Sequence, residues 1–274
     1  MRIQFGYTPD TDDAFHYYAL ENGKLGLDRP TDFKFHHLCI QTLNKMALKG
    51  ELEVTAVSSI IYPQIEDRYV VLSAGASVGR GYGPALGIRS DRSLKNLEGK
   101  TVAVAGRWTT GYFLLNYFYR GFKPVFMPYD KIAEAIEMEK VDAGVLIHEE
   151  LLNYKFKKIN RLSCLGERWF GETGLPLPVG LNVARRDLGM DNILWLRQKL
   201  EESMRFALKH PSEAMAFASA FSSGDIEVTR EFVAKFANSD TANMPEDVRL
   251  GLKELFRRAF EAGFITHEPQ LEII

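Results

Sequence analysis

A chain of 274 residues, 46% apolar and 26% charged, is long enough to bury a sizeable core as one large domain or two ordinary ones. Its formal net charge of -2 leaves no electrostatic footprint for nucleic acid or an anionic membrane, so neither is expected as a partner. No run is apolar for long enough to span a bilayer, and Met1-Arg2-Ile3-Gln4-Phe5 enters a strand pattern with no secretory signal, so the expected setting is the cytoplasm. Cys39 and Cys164 stand far apart in apolar company and read as reduced core thiols, without metal-ligand or CxxC spacing.

Residues 2–7 alternate as a strand and stop at Thr8-Pro9-Asp10-Thr11-Asp12-Asp13. Helical spacing then resumes through Phe15, Tyr18, Ala19 and Leu20, with Thr11 expected as N-cap and Asp12 and Asp13 facing the positive end of the helix. The acidic run has no accompanying His, Cys or Glu at metal-ligand spacing, so capping is expected rather than a metal. Residues 33–38 read as a strand on which consecutive His36 and His37 point to opposite faces. A short amphipathic helix at 42–48 ends near Gly50, a strand at 54–57 ends at Ser58-Ser59, and an apolar helix-like stretch at 60–65 leads to a strand at 70–74. The segment 75–87 holds five glycines but neither GxGxxG nor GxxxxGK[ST], so a flexible or closely packed connection is expected rather than a phosphate cradle. Residues 86–88 read as a strand leading out of a first lobe.

A clear strand at 101–105 breaks at Gly106-Arg107-Trp108-Thr109-Thr110-Gly111, and a helix follows through Tyr112, Leu114, Leu115 and Phe118. A strand at 125–127 and a helix at 131–140 lead to the apolar strand 141–147, which ends abruptly at His148-Glu149-Glu150. The order of strands, polar turns and helices repeats that of the first lobe. Beyond Asn153 the chain is expected to be irregular as far as Gly180, to return to the first lobe through a strand at 180–184, and to be helical from 191 to 264. Asp191 and Gly263 are the expected caps of that helical portion. Its apolar set Trp195, Leu196, Leu200, Met204 and Phe206 reads as core.

Thr8 to Asp13, Ser58-Ser59, Thr109-Thr110 and His148 all fall at strand ends, where open α/β sheets bind ligands. In two facing lobes they would line one cleft, and helix N-termini carrying hydroxyls suit a carboxylate. Any single Ser or Thr here reads first as an ordinary helix cap, and only the recurrence of four such ends points to a site. His148 is readable as a proton acceptor at the strand end or as a histidine bonded to Glu149 or a carbonyl. No GxSxG, HExxH or EF-hand pattern supports a nucleophilic triad or a metal, so any catalysis falls to an isolated base.

Gly6-Tyr7-Thr8-Pro9-Asp10-Thr11-Asp12-Asp13-Ala14-Phe15, Thr42-Leu43-Asn44, the run from Gly106 to Leu115, Leu146-Ile147-His148-Glu149, Thr173-Gly174-Leu175-Pro176-Leu177-Pro178 and Ala184-Arg185-Arg186-Asp187-Leu188 span nearly the whole chain. Together they resemble the 1,4-dihydroxy-6-naphthoate synthase family of the futalosine route to menaquinone. The resemblance implies a two-lobed α/β fold like that of type II periplasmic binding proteins, with a helical C-terminal portion. Residues 1–88 and 181–274 would form the first lobe, and 89–180 the second, inserted between them. It also implies a cofactor-independent lyase acting on cyclic dehypoxanthinyl futalosine, a small carboxylate. His148 would be the proton acceptor, Thr109 and Thr110 substrate contacts, and Ala56, Val57 and Ser58 a strand end contributing backbone groups. Two departures stand out. Many members read Ser-Pro-Cys-Pro-Asn-Asp-Thr-Phe where this chain has residues 8–15, and Ala56 takes a place often held by lysine. Two further readings of the same architecture are a non-catalytic receptor for a small carboxylate, which the missing export signal disfavours, and the related chorismate dehydratase, which the histidine motif and paired threonines disfavour.

Overall fold

The computed structural model describes residues 1–222 and 225–274. The first strand shows how the alternating pattern becomes structure: in β1 (Arg2–Tyr7), Ile3, Phe5 and Tyr7 are fully buried while Arg2 is exposed. Each such side chain removed from water contributes about 2 kcal/mol, which fixes the register of the strand. There follow α1 (Thr11–Glu21), β2 (Asp32–His37), α2 (Ile40–Lys49), β3 (Val54–Ser58), β4 (Tyr69–Val71) and β5 (Ser77–Gly79). The second group is β6 (Ala85–Arg89), β7 (Thr101–Val104), α3 (Thr110–Phe118), β8 (Lys123–Phe126), α4 (Ile132–Glu137), β9 (Ala143–Leu146), α5 (Glu150–Asn153), β10 (Ile159–Cys164) and α6 (Leu165–Thr173). The last is β11 (Leu177–Arg185), α7 (Met190–Lys209), α8 (Pro211–Ser219), α9 (Ile226–Phe236), α10 (Ser239–Ala242) and α11 (Glu246–Glu261).

Two mixed sheets result. The first runs β2-β1-β3-β11-β4, with β5 also paired to β11, and the second runs β10-β6-β9-β7-β8. Parallel pairing joins β1 to β2 and β3, and β7 to β8 and β9, whereas β11 lies antiparallel to β3. The chain crosses between the sheets twice, once between Gly79 and Ala85 and again after α6, as a two-lobed fold of the type II periplasmic-binding-protein kind requires. The C-terminal helices close over the first sheet, where α7 and α8 pack on α1. Among the described residues no helix is long and apolar enough to cross a membrane.

Four local expectations change. The strand expected at the exit of the first lobe is β6, which pairs with β9 and β10 and belongs to the second sheet, so the crossing precedes it. The stretch from 154 to 180 is ordered as β10, α6 and the start of β11. The apolar segment after β3 is a 3-10 turn, Ser59–Gln64, with Pro63 inside it. Gly189, not Asp191, caps α7, while Asp191 pairs with Arg29. Of the two thiols, both free, Cys164 is buried and Cys39 is only half-buried.

Candidate active site

The acidic turn after β1 is the first component. α1 begins one residue earlier than its sequence suggests: Asp10, not Thr11, is the N-cap, and its Oδ1 accepts from the Asp13 amide at 3.4 Å. Every residue from Thr11 to Leu20 is buried, because α1 lies between the first sheet and the C-terminal helices. Asp12 and Asp13 are therefore carried inside the protein with the helix. Asp13 is held by the amide and hydroxyl of Thr8, and Asp12 Oδ2 accepts from Ser77 Oγ at 3.0 Å.

The second component is His148. Gly144 in β9 leaves room for α4, since a Cβ there would stand 2.5 Å from Ile132 Cγ2. With α4 seated on it, β9 delivers Ile147 and His148 to the cleft. His148 then adopts φ 54°, a left-handed conformation in which histidine is over-represented among non-glycine residues. This turn directs the imidazole across to the first lobe, where Nδ1 meets Oδ2 of Asp10 and the ring lies against Tyr129 at 4.4 Å between centroids. The partner is thus Asp10 rather than Glu149, which instead accepts from Ser222 Oγ. Nε2 of His148 has no hydrogen-bond partner among the described residues.

The third component joins the lobes through hydroxyls and one amide. Asn44, fully buried on α2, accepts from the Ser58 amide at 3.0 Å and donates to Ser58 Oγ at 3.1 Å and to the Trp108 carbonyl at 3.2 Å. Ser58 Oγ accepts in that bond, which leaves its own proton for a ligand. Thr109 caps α3: its hydroxyl donates to the Gly106 carbonyl and accepts from the Tyr112 amide. Thr110 Oγ1 donates to the Val179 carbonyl on β11 at 2.8 Å. Both threonine protons are thereby committed, and the groups that α3 offers the cleft are the free amides of its first turn.

These parts enclose a cavity of about 90 Å³. Ala56, Val57, Ser58, Thr109, Thr110 and His148 all line it, together with Thr8, Asp10, Asp12 and Asp13 of the acidic run, whereas Thr11 and Ser59, expected beside them, do not. Asn44, an unassigned part of a motif in the sequence, stands behind Ser58 rather than in the lining. Among the described residues no Lys or Arg lines the cleft. Burial raises the carboxyl of Asp10 well above the usual range, and Asp13 adds to it. Burial likewise raises Asp12, aided by Asp10, and takes Asp13 to about 6, aided by Asp12. Burial lowers His148, opposed by the charges of Asp12, Asp13 and Glu149. The arrangement is a buried imidazole oriented by a carboxylate, facing hydroxyl and amide donors: suited to moving one proton on a held ligand.

A family model described as menaquinone biosynthesis matches residues 3–261. The chain is 36% identical over 269 residues to 1,4-dihydroxy-6-naphtoate synthase of Thermus thermophilus, covering 98% of this chain and 97% of the other. It is 32% identical to the Streptomyces coelicolor protein of the same name, covering 96% and 94%. A crystal structure of an Archaeoglobus fulgidus protein superposes with a TM-score of 0.91 at 40% identity, covering 96% and 98%. An alkanesulfonate-binding protein of Xanthomonas axonopodis superposes with a TM-score of 0.76 at 12% identity, covering 98% and 94%, a likeness of fold alone.

Proposed function

Because the chain belongs to the 1,4-dihydroxy-6-naphthoate synthase family of menaquinone biosynthesis, whose members are lyases, we propose that it converts cyclic dehypoxanthinyl futalosine to the dihydroxynaphthoate without a cofactor, with His148 as proton acceptor. The observation that carries this reading is the contact between His148 Nδ1 and Asp10 across the cleft. An Nδ1–H donated to the carboxylate fixes the tautomer and leaves the Nε2 lone pair for the substrate.

The remaining groups divide the work. Ser58 Oγ–H and the first-turn amides of α3 donate to the substrate carboxylate, and the α3 dipole favours its charge in a cleft without a cationic side chain. Ala56 and Val57, buried in β3, supply the wall against which the ring system lies. Removal of an acidic proton by Nε2 triggers fragmentation into the dihydroxynaphthoate and a small sugar fragment. The enclosure formed by both lobes keeps water from that step.

Incubating the purified chain with cyclic dehypoxanthinyl futalosine and following dihydroxynaphthoate by mass spectrometry tests the assignment. Time-dependent product is expected. Recovery of the unreacted compound, bound to the protein, would instead identify a receptor.

A further inference from the structure

We propose that Asp10, Asp12 and His148 form a binding site for one divalent transition-metal ion, and that an ion held there keeps the enzyme in a resting form. One ligand atom from each of the three lies within 4.8 Å of the others, and the two carboxylates are 3% and 6% exposed. Each carboxylate has one oxygen tied by a group outside the trio and the other turned towards it. Asp10 Oδ1 accepts from the Asp13 amide and Asp12 Oδ2 from Ser77, whereas Asp10 Oδ2 faces His148 Nδ1, itself one of the three, and Asp12 Oδ1 has no hydrogen-bond partner among the described residues. Outer hydrogen bonds of that kind orient ligands before an ion arrives.

The electrostatics call for a cation. Buried carboxylates are costly unless paired or coordinated, and among the described residues the lining of the cleft has no Lys or Arg to neutralise them. Asp13 is excluded from the set because Thr8 already occupies it. One imidazole with two carboxylates suits zinc(II) and its first-row neighbours, whereas calcium takes six to eight oxygens. The ligands come from both lobes, Asp10 and Asp12 beside β1 and His148 after β9, so an ion also clamps the cleft shut.

The consequence for turnover rests on His148 as proton acceptor. An imidazole lone pair given to a metal is not available to a substrate proton, so the ion and the reaction exclude each other. Isothermal titration calorimetry of the metal-free full chain with zinc chloride tests the site without substrate, and calcium chloride serves as the parallel titrant. One zinc ion per chain is expected, calcium is not expected to bind, and Asp12→Asn is expected to weaken zinc by about tenfold or more. His148→Asn provides a second ligand deletion should Asp12→Asn fail to fold. No zinc binding overturns the proposal, as does binding of unchanged affinity in both variants, which would place zinc elsewhere on the chain. Turnover that falls with zinc occupancy and returns with chelator supports the resting form. Zinc binding that depends on Asp12 but leaves turnover untouched retains the site and overturns the resting form.

Discussion

Nδ1 of His148 meets Oδ2 of Asp10 across the interlobe cleft, joining the last turn of the second lobe's central strand to the cap of the first lobe's first helix. The pair exists only when the lobes face each other, so the orientation of the imidazole and the assembly of the cleft are one event. Asp10→Asn keeps a good helix cap and removes the charge that orients the ring. Turnover is expected to fall about 100-fold, the scale of a misoriented general base, with KM within a few-fold. Steady-state kinetics on a variant of unchanged melting temperature check this. Unaltered kcat would show that the contact is structural.

Asn44 ties the amide and hydroxyl of Ser58 to the Trp108 carbonyl with bonds no shorter side chain reproduces. Asn44→Ala strands buried polar groups and is expected to cost about 1–3 kcal/mol of stability. Because Ser58 loses its fixed position, KM is expected to rise as well. Denaturant melts and KM together decide it; a change in stability with unaltered KM would take Ser58 out of the binding set.

Thr109 is placed by its structure as a cap with both hydroxyl functions engaged at α3. Thr109→Ala is therefore expected to lower stability by about 1 kcal/mol. Substrate affinity should weaken only as far as the first-turn amides shift. A ligand titration in which Thr109→Ala abolishes binding at unchanged stability would instead assign the hydroxyl to the substrate.

His16 provides a pH prediction away from the cleft. It is 1% exposed on α1, and burial lowers it from 6.5 to about 4. The unfolded chain takes up the proton first, so the stability from keeping His16 neutral is complete above pH 6.5 and is lost as pH falls toward about 4. The difference amounts to about 3 kcal/mol across that window. Urea unfolding of the parent chain and of His16→Gln at pH 7 and pH 4.5 isolates it: the variant should show a flatter acid dependence whatever its stability at pH 7. Parallel curves would contradict the burial argument.

Much of this architecture is written locally. The apolar run that becomes β9 stops at His148 because the next residues are charged, and that break alone marks a strand end. The break at Gly106 to Gly111 marks the start of α3 in the same way. What local pattern does not carry is pairing. β6 reads equally well at the end of one lobe or the start of the next until β9 and β10 claim it. β10 was hidden because its central residues Asn160 and Arg161 are exposed on an edge strand and break the alternation. The role of Asp10 was hidden for a related reason. Cap and catalytic neighbour look identical in sequence, and only a residue 138 positions later distinguishes them. Asn44 likewise gains its meaning from Ser58 and Trp108.

The central claim is that His148 takes the substrate proton. His148→Asn tests it most directly, since asparagine also tolerates the left-handed backbone found at this position. With cyclic dehypoxanthinyl futalosine supplied to both proteins, the variant is expected to form no dihydroxynaphthoate while binding the compound within about tenfold of the parent, a difference of ~1.4 kcal/mol. Product formed at the parental rate by a folded His148→Asn chain would contradict the account.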